Sequence, residues 1–189
     1  MAIVNDDLSR LGDLLRGRRT VNFFTDKAVD HQLIADAVDV ARWAPNHRLT
    51  EPWHFFHLGT TSRAQVIDLA VELAKNSKGD TAAVSRRARL EAVPEWLAVT
   101  SAVSDDPLLD REDYAATSCA IQNLMLYLWQ SGVGSKWTTG EVTRLPETLR
   151  ILGLDPAHHR IAGLLWLGYP RQPSESIRGD FRAVFTRLD

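Results

Sequence analysis

Apolar positions along the chain fall into blocks of two different periods. Leu8, Leu11, Leu14 and Leu15 recur at helical spacing, and that pattern stops near Gly17. After NFFTDKAV, Asp30 stands as an N-cap ahead of Leu33, Ile34, Ala37, Val38 and Ala41, the stripe of a second helix closed by Pro45. A polar loop leads into a strand, WHFFHLG, and Thr61 or Ser62 is expected to cap a third helix running to about Asn76. The polar stretch NSKGDTAAVSRRARLEAV reads as a mobile connection plus a basic helix. EWLAVTSAV then has strand character, and residues from about Asp110 to Gln130 form a long helix apolar on most faces, including Tyr114, Ala115, Cys119, Ile121 and Leu128. Such a helix belongs in the middle of a protein or in a dimer interface. GSKWTTG reads as a short strand, Pro146 opens a helix through Leu152, and HRIAGLLWLGYP is a buried strand followed by an irregular tail. Four strands among five or six helices, not strictly alternating, point to α+β.

Composition narrows the class without naming it. At 189 residues the chain makes one domain with room for a full core. A net charge of −2 excludes a general polyanion binder, so no nucleic-acid partner is expected. The single cysteine, Cys119, forms no internal disulfide and lies among apolar helical neighbours, where a thiol is usually inert. The N-terminus lacks a signal pattern and no apolar run has the length of a membrane span, so a cytoplasmic protein is expected. Six tryptophans are many for this length, and Trp43, Trp53, Trp137 and Trp166 sit near Gly or Pro, where flat side chains can be core or line a slot for a planar ligand.

Several familiar chemistries are absent. The GVG at 132–134 follows a helix and precedes a strand, the reverse of a dinucleotide-binding turn. No phosphate-binding GxxxxGK[ST] loop or GxSxG elbow occurs. His54 and His57, three apart on a strand, point to opposite faces and cannot share an ion, so no metal is expected. RRARL at 86–90 reads as the wet side of a helix.

Three segments remain: RGRRTVNFF at 16–24, RWAPNHRLTEPWHFF at 42–56 and GSKWTTG at 134–140, with Arg178 in the polar tail. Singly, each has an ordinary explanation, such as arginines complementing a helix C-terminus. Taken in order, Arg-Arg-Thr, then Ala-Pro-x-His with Pro-Trp-x-Phe five residues after the histidine, a late Gly-x-x-Trp-Thr-Thr segment and LWLGYP resemble the nitroreductase family of FMN-dependent oxidoreductases, in its short-chain branch. The resemblance runs from Leu8 to about Arg178.

That resemblance implies a central mixed, mostly antiparallel sheet flanked by helices, assembled as an intertwined homodimer with FMN at the interface. It implies hydride transfer from NAD(P)H through the flavin to a small nitroaromatic or quinone-like acceptor in a ping-pong cycle, with no catalytic side chain assigned. Other chemistry on the same fold (dehalogenation, ene-reduction, flavin breakdown) and a non-enzymatic flavin-binding protein are the alternatives. Arg18, Arg19 and Thr20 fall where similar proteins hold the FMN phosphate and ribityl chain, and Arg178 completes the phosphate site. Trp137, Thr138 and Thr139 fall on the segment lining the ring. Trp43 and His47 match positions that reach the flavin of the other subunit. A lid over the substrate would lie at 76–92. Asn22 occupies a position where many similar proteins carry Lys or Arg, which weakens electrostatic support for the reduced flavin unless Arg19 or ring-face contacts compensate.

Overall fold

A computed structural model describes residues 2–172 and 175–188, with side chains from residue 6 onward. Six α-helices, α1 (Ala2–Gly17), α2 (His31–Ala41), α3 (Thr60–Lys78), α4 (Asp80–Glu91), α5 (Pro107–Gln130) and α6 (Pro146–Ile151), surround strands β1 (Trp53–His57), β2 (Glu95–Ala102), β3 (Gly134–Thr138) and β4 (His159–Gly168). The strands form one sheet in the order β1-β2-β4-β3, every neighbouring pair antiparallel. An isolated parallel bridge joins Thr20 to Ser135 and ties the Arg-Arg-Thr segment to β3.

Alternation along the strands divides the interior in two. Leu97, Val99, Leu165 and Leu167 face α2 and α5, where they meet Ile34, Ala37, Ala120, Ile121, Leu124 and Leu128. Trp96, Ala98, Leu164 and Trp166 face the other way, toward Val66, Ile67, Ala70 and Leu90 of α3 and α4 and Leu149 of α6. The sheet is therefore covered by helices on both faces. Gly163 is required by packing: a Cβ there would stand 2.2 Å from the Trp137 indole nitrogen, which donates to the Ala162 carbonyl at 3.0 Å.

Cap chemistry explains several helix starts. The Asp30 carboxylate accepts from Gln32 N at 2.9 Å, and Asp106 does the same for Leu108 N ahead of Pro107. The third helix starts two to three residues earlier than expected, with Gly59 as N-cap and no side-chain cap, and the Ser62 hydroxyl donates instead to the Gly59 carbonyl. The expected basic helix after it is present as α4, while the expected connection shrinks to one residue. α3 continues to Lys78, α4 begins at Asp80, and the reversal is made by Gly79 alone at φ +82°, ψ −179°. An ion pair from Arg87 to Asp68, 2.6 Å, spans the two helices.

α5 differs from the sequence expectation in one respect. Its Ala116, Ala120, Ile121, Leu124, Met125 and Leu128 are buried, but Tyr114, Ala115 and Cys119 are exposed in the single chain. The helix thus carries one face into the core and presents a second, partly apolar face outward.

Candidate functional site

The basic segment after α1 is held against β3 by backbone pairing, with Val21 N donating to Ser135 O at 3.0 Å. This places Arg18, Arg19, Thr20 and Asn22 around a cavity of about 210 Å³, closed from the far end of the chain by Glu175, Ser176 and Arg178. Burial pushes the Arg18 guanidinium pKa down, and the charges of Arg178 and then Arg19 lower it further, so the three cations are close enough to repel. Arg19 turns back on the helix, donating to the carbonyls of Arg16 and Arg18. One of its guanidinium nitrogens thus caps the C-terminal end of α1, while Arg19 still lines the cavity with Arg18 and Arg178. Arg178 donates to the Ser176 hydroxyl and the Ile177 carbonyl.

A second cavity, about 310 Å³, lies over the β3–β4 end of the sheet. Trp137, Thr138 and Thr139 all border it. Thr138 Oγ1 donates to the Leu164 carbonyl at 2.9 Å, while the Trp137 side chain packs into the α2–α5 side of the interior. Lys136 joins the two cavities, since its ammonium donates to Asn22 Oδ1 at 2.8 Å. Across this slot stand Arg86 and Arg89 of α4. Burial, then Arg89 and Arg86, lower the Lys136 pKa, and burial followed by Arg89 lowers that of Arg86. Trp96 and Trp166 also line the slot, and their buried indole N–H groups have no hydrogen-bond partner among the described residues. The slot is rich in donors and suited to a ligand rich in acceptors.

Trp43 and His47 are placed elsewhere. Trp43 is 76% exposed, and neither residue lines the cradle or the slot of its own chain. The loop carrying them is nevertheless fixed. His47 Nδ1 lies 2.7 Å from Glu112 Oε2, Thr50 Oγ1 donates to the buried Asp113 at 2.6 Å, and the Asn46 side chain accepts from Glu51 N. Arg48, Leu49 and Glu51 all have positive φ, uncommon for residues with a Cβ, and such outliers collect at functional sites.

Sequence reasoning gave Lys136 no role and read Arg86 and Arg89 as the wet side of a helix within the candidate lid. The two arginines were legible only as a pair three residues apart on one helix face, a pattern shared with solvated helices. Lys136 had no signal beyond its place next to Trp137.

The Nitroreductase family profile matches residues 15–169. The Bacillus subtilis (strain 168) protein YfhC, assigned provisionally by name to the NAD(P)H nitroreductases, is 33% identical over 185 residues, 95% of each chain. Among solved structures, a nitroreductase-like family protein from Bacillus cereus superposes with a TM-score of 0.83 at 28% identity, covering 94% of this chain and 95% of the other. The FMN- and NADPH-dependent nitroreductase NfnB from a Sphigopyxis strain shares the fold at a TM-score of 0.74 and 16% identity, covering 94% and 98%. The family profile and a relative 33% identical over nearly the whole of both chains show that the chain belongs to the nitroreductase family.

Proposed function

We propose that this protein is an FMN-dependent oxidoreductase that draws on NAD(P)H to reduce a small electrophilic acceptor, nitroaromatic or quinone-like, by a ping-pong cycle. It would work as a homodimer in the cytoplasm. The observation that carries the reading is the meeting of Arg18 and Arg178, from opposite ends of the chain, at a cavity linked through Asn22 and Lys136 to a slot rich in hydrogen-bond donors. These residues fit FMN by chemistry. Guanidinium groups suit a phosphate dianion, the Thr20 hydroxyl suits a ribityl chain, and the donors of the slot suit the carbonyls and ring nitrogens of an isoalloxazine.

Bound FMN supplies the two-electron carrier. The chain's own residues do the positioning. Arg18 and Arg178 anchor the phosphate, while Lys136 sets a cation beside Asn22, where many similar proteins carry the charge on residue 22 itself. Thr138 and Thr139 border the ring space. Trp43 and His47, which turn away from their own slot, reach the site of the partner subunit. Arg86 and Arg89 stand on the helix pair at the lid position and favour an acceptor that carries a carboxylate or similar anion.

The test is anaerobic stopped-flow absorbance of the FMN-loaded protein mixed with NADH or NADPH, followed by a nitroaromatic or a quinone. Bleaching of the flavin by a nicotinamide and recovery with the acceptor, with parallel-line steady-state kinetics, is the expected result. A flavin that binds but is never bleached by either nicotinamide would replace this reading with flavin storage.

A further inference from the structure

His57 was paired with His54 in sequence, and the fold gives it different neighbours. The β1–β2 register sets His57 opposite Leu97, so Glu95, two residues away on β2, projects from the same face. α2 begins above that face at His31. The His57 Nε2 lies 2.7 Å from Glu95 Oε2, and the His31 Nε2 lies 3.5 Å from Glu95 Oε1. The two imidazoles meet edge to face, 4.8 Å between centroids at 89°. His54 is on the other side of the strand, stacked on Phe56.

We propose that His31, His57 and Glu95 bind a divalent transition-metal ion of the zinc class, independently of the flavin site. One ligand atom from each residue lies within 4.8 Å of the other two. Ligands at ~2.0–2.1 Å around a tetrahedral ion stand roughly 3.3 Å apart, so shifts of about half an ångström to an ångström and a half, well within side-chain rotation, complete the set. The donor types match as well, two imidazole nitrogens and a carboxylate, with the fourth position left for water from the adjoining cavity of about 550 Å³. Glu95 is largely shielded, with its side chain 18% exposed, and accepts no other hydrogen bond among the described residues. The neighbouring cations are engaged elsewhere: Arg63 donates to the Pro94 and Glu91 carbonyls, and Arg87 pairs with Asp68 and Glu91. Such an ion would pin the first residue of α2 to two strands of the sheet.

Isothermal titration of the untagged, FMN-loaded protein with ZnCl2 tests the site, and CoCl2 reports its geometry through the visible absorption of four-coordinate cobalt. One ion per chain is expected. His31→Ala and His57→Ala should each weaken it by about a hundredfold or more, beyond the 10–100-fold typical of losing an outer-shell partner. His54→Ala should bind zinc as the wild type does. His31 has a side chain 73% exposed, so its removal leaves the packed interior intact and keeps the comparison valid. Zinc affinity and stoichiometry unchanged in His31→Ala/His57→Ala, or no saturable binding by the wild type, would overturn the proposal and leave a hydrogen-bonded His-Glu-His cluster. Neither result bears on flavin reduction.

Discussion

At the scale of single residues, the site depends on which cation meets which acceptor. Lys136 Nζ is 2.8 Å from the Asn22 amide oxygen, so a positive charge stands at a position where the side chain of residue 22 brings none. A cation stabilises a ring that gains negative charge on reduction more than the oxidised ring. Lys136→Met should therefore lower the midpoint potential of bound FMN. A charged hydrogen bond worth ~1.5–3 kcal/mol corresponds to roughly 30–65 mV for a two-electron couple. Spectroelectrochemistry giving an unchanged potential would mean that Lys136 holds Asn22 and nothing else. Arg178 has a different signature, because it is expected to meet the phosphate alone. Arg178→Ala should weaken FMN by about 10- to 150-fold and leave riboflavin binding unchanged. Equal loss of both ligands in a fluorescence titration would assign Arg178 to the fold. Part of this arrangement was readable from the sequence, since an Arg-Arg-Thr segment and a distant arginine are visible as residue types. The division of labour was not. Arg18 and Arg19 are equivalent as residue types, and only the fold shows that Arg19 also donates to the carbonyls of Arg16 and Arg18.

At the scale of elements, periodicity located all four strands and most helices, because each buries one face or stripe and the sequence must repeat accordingly. Between Asn76 and Ala92 it gave the basic helix, now α4, but made the connection ahead of it too long. There the polar surface of a helix pair looks like a loop, and the one residue that makes the turn is a glycine among other turn-forming residues. Gly79 occupies a backbone region open almost only to glycine, and no atom lies within 4 Å of where a Cβ would be. Its substitution thus isolates backbone strain from steric clash. Gly79→Ala should lower stability by ~1–3 kcal/mol in urea melts, and a change near zero would show that the α3–α4 junction relaxes freely. The same pair bears Arg86 and Arg89, whose charges face the slot across from Lys136. Arg86→Ala/Arg89→Ala should raise KM for 4-nitrobenzoate several-fold more than for neutral nitrobenzene, whose ring makes no ionic contact. The difference should shrink in high salt, as expected for partly exposed charges. Equal effects on both acceptors would remove α4 from acceptor recognition.

At the scale of the whole molecule, a single chain leaves several large apolar side chains uncovered, which supports the proposed homodimer. Ile177 is 94% exposed, Phe181, Val184, Phe185 and Leu188 follow it, and Leu8, Leu11 and Leu15 of α1 are also bare. Burying a side chain of this size stabilises by ~1.5–3 kcal/mol, so a partner that covers several of them would hold tightly. Sedimentation should accordingly find a dimer at every concentration that retains flavin. The same arithmetic does not say whose site Trp43 and His47 complete. Their loop is locked by His47–Glu112 and Thr50–Asp113 and cannot swing to its own cradle without breaking both. His47→Ala and Arg178→Ala homodimers should each bind FMN weakly. Unfolded together and refolded, the two variants form mixed dimers in which one cradle keeps its Arg178 and receives an intact His47 loop from the neighbouring chain. That site should regain wild-type affinity, while the second site of the mixed dimer carries both defects. If each site were built within one chain, mixing would give two singly damaged sites and no tight binding. An FMN titration of the mixture with a high-affinity phase absent from both parents is the result expected of a site shared between subunits, and its absence would return Trp43 and His47 to their own chain.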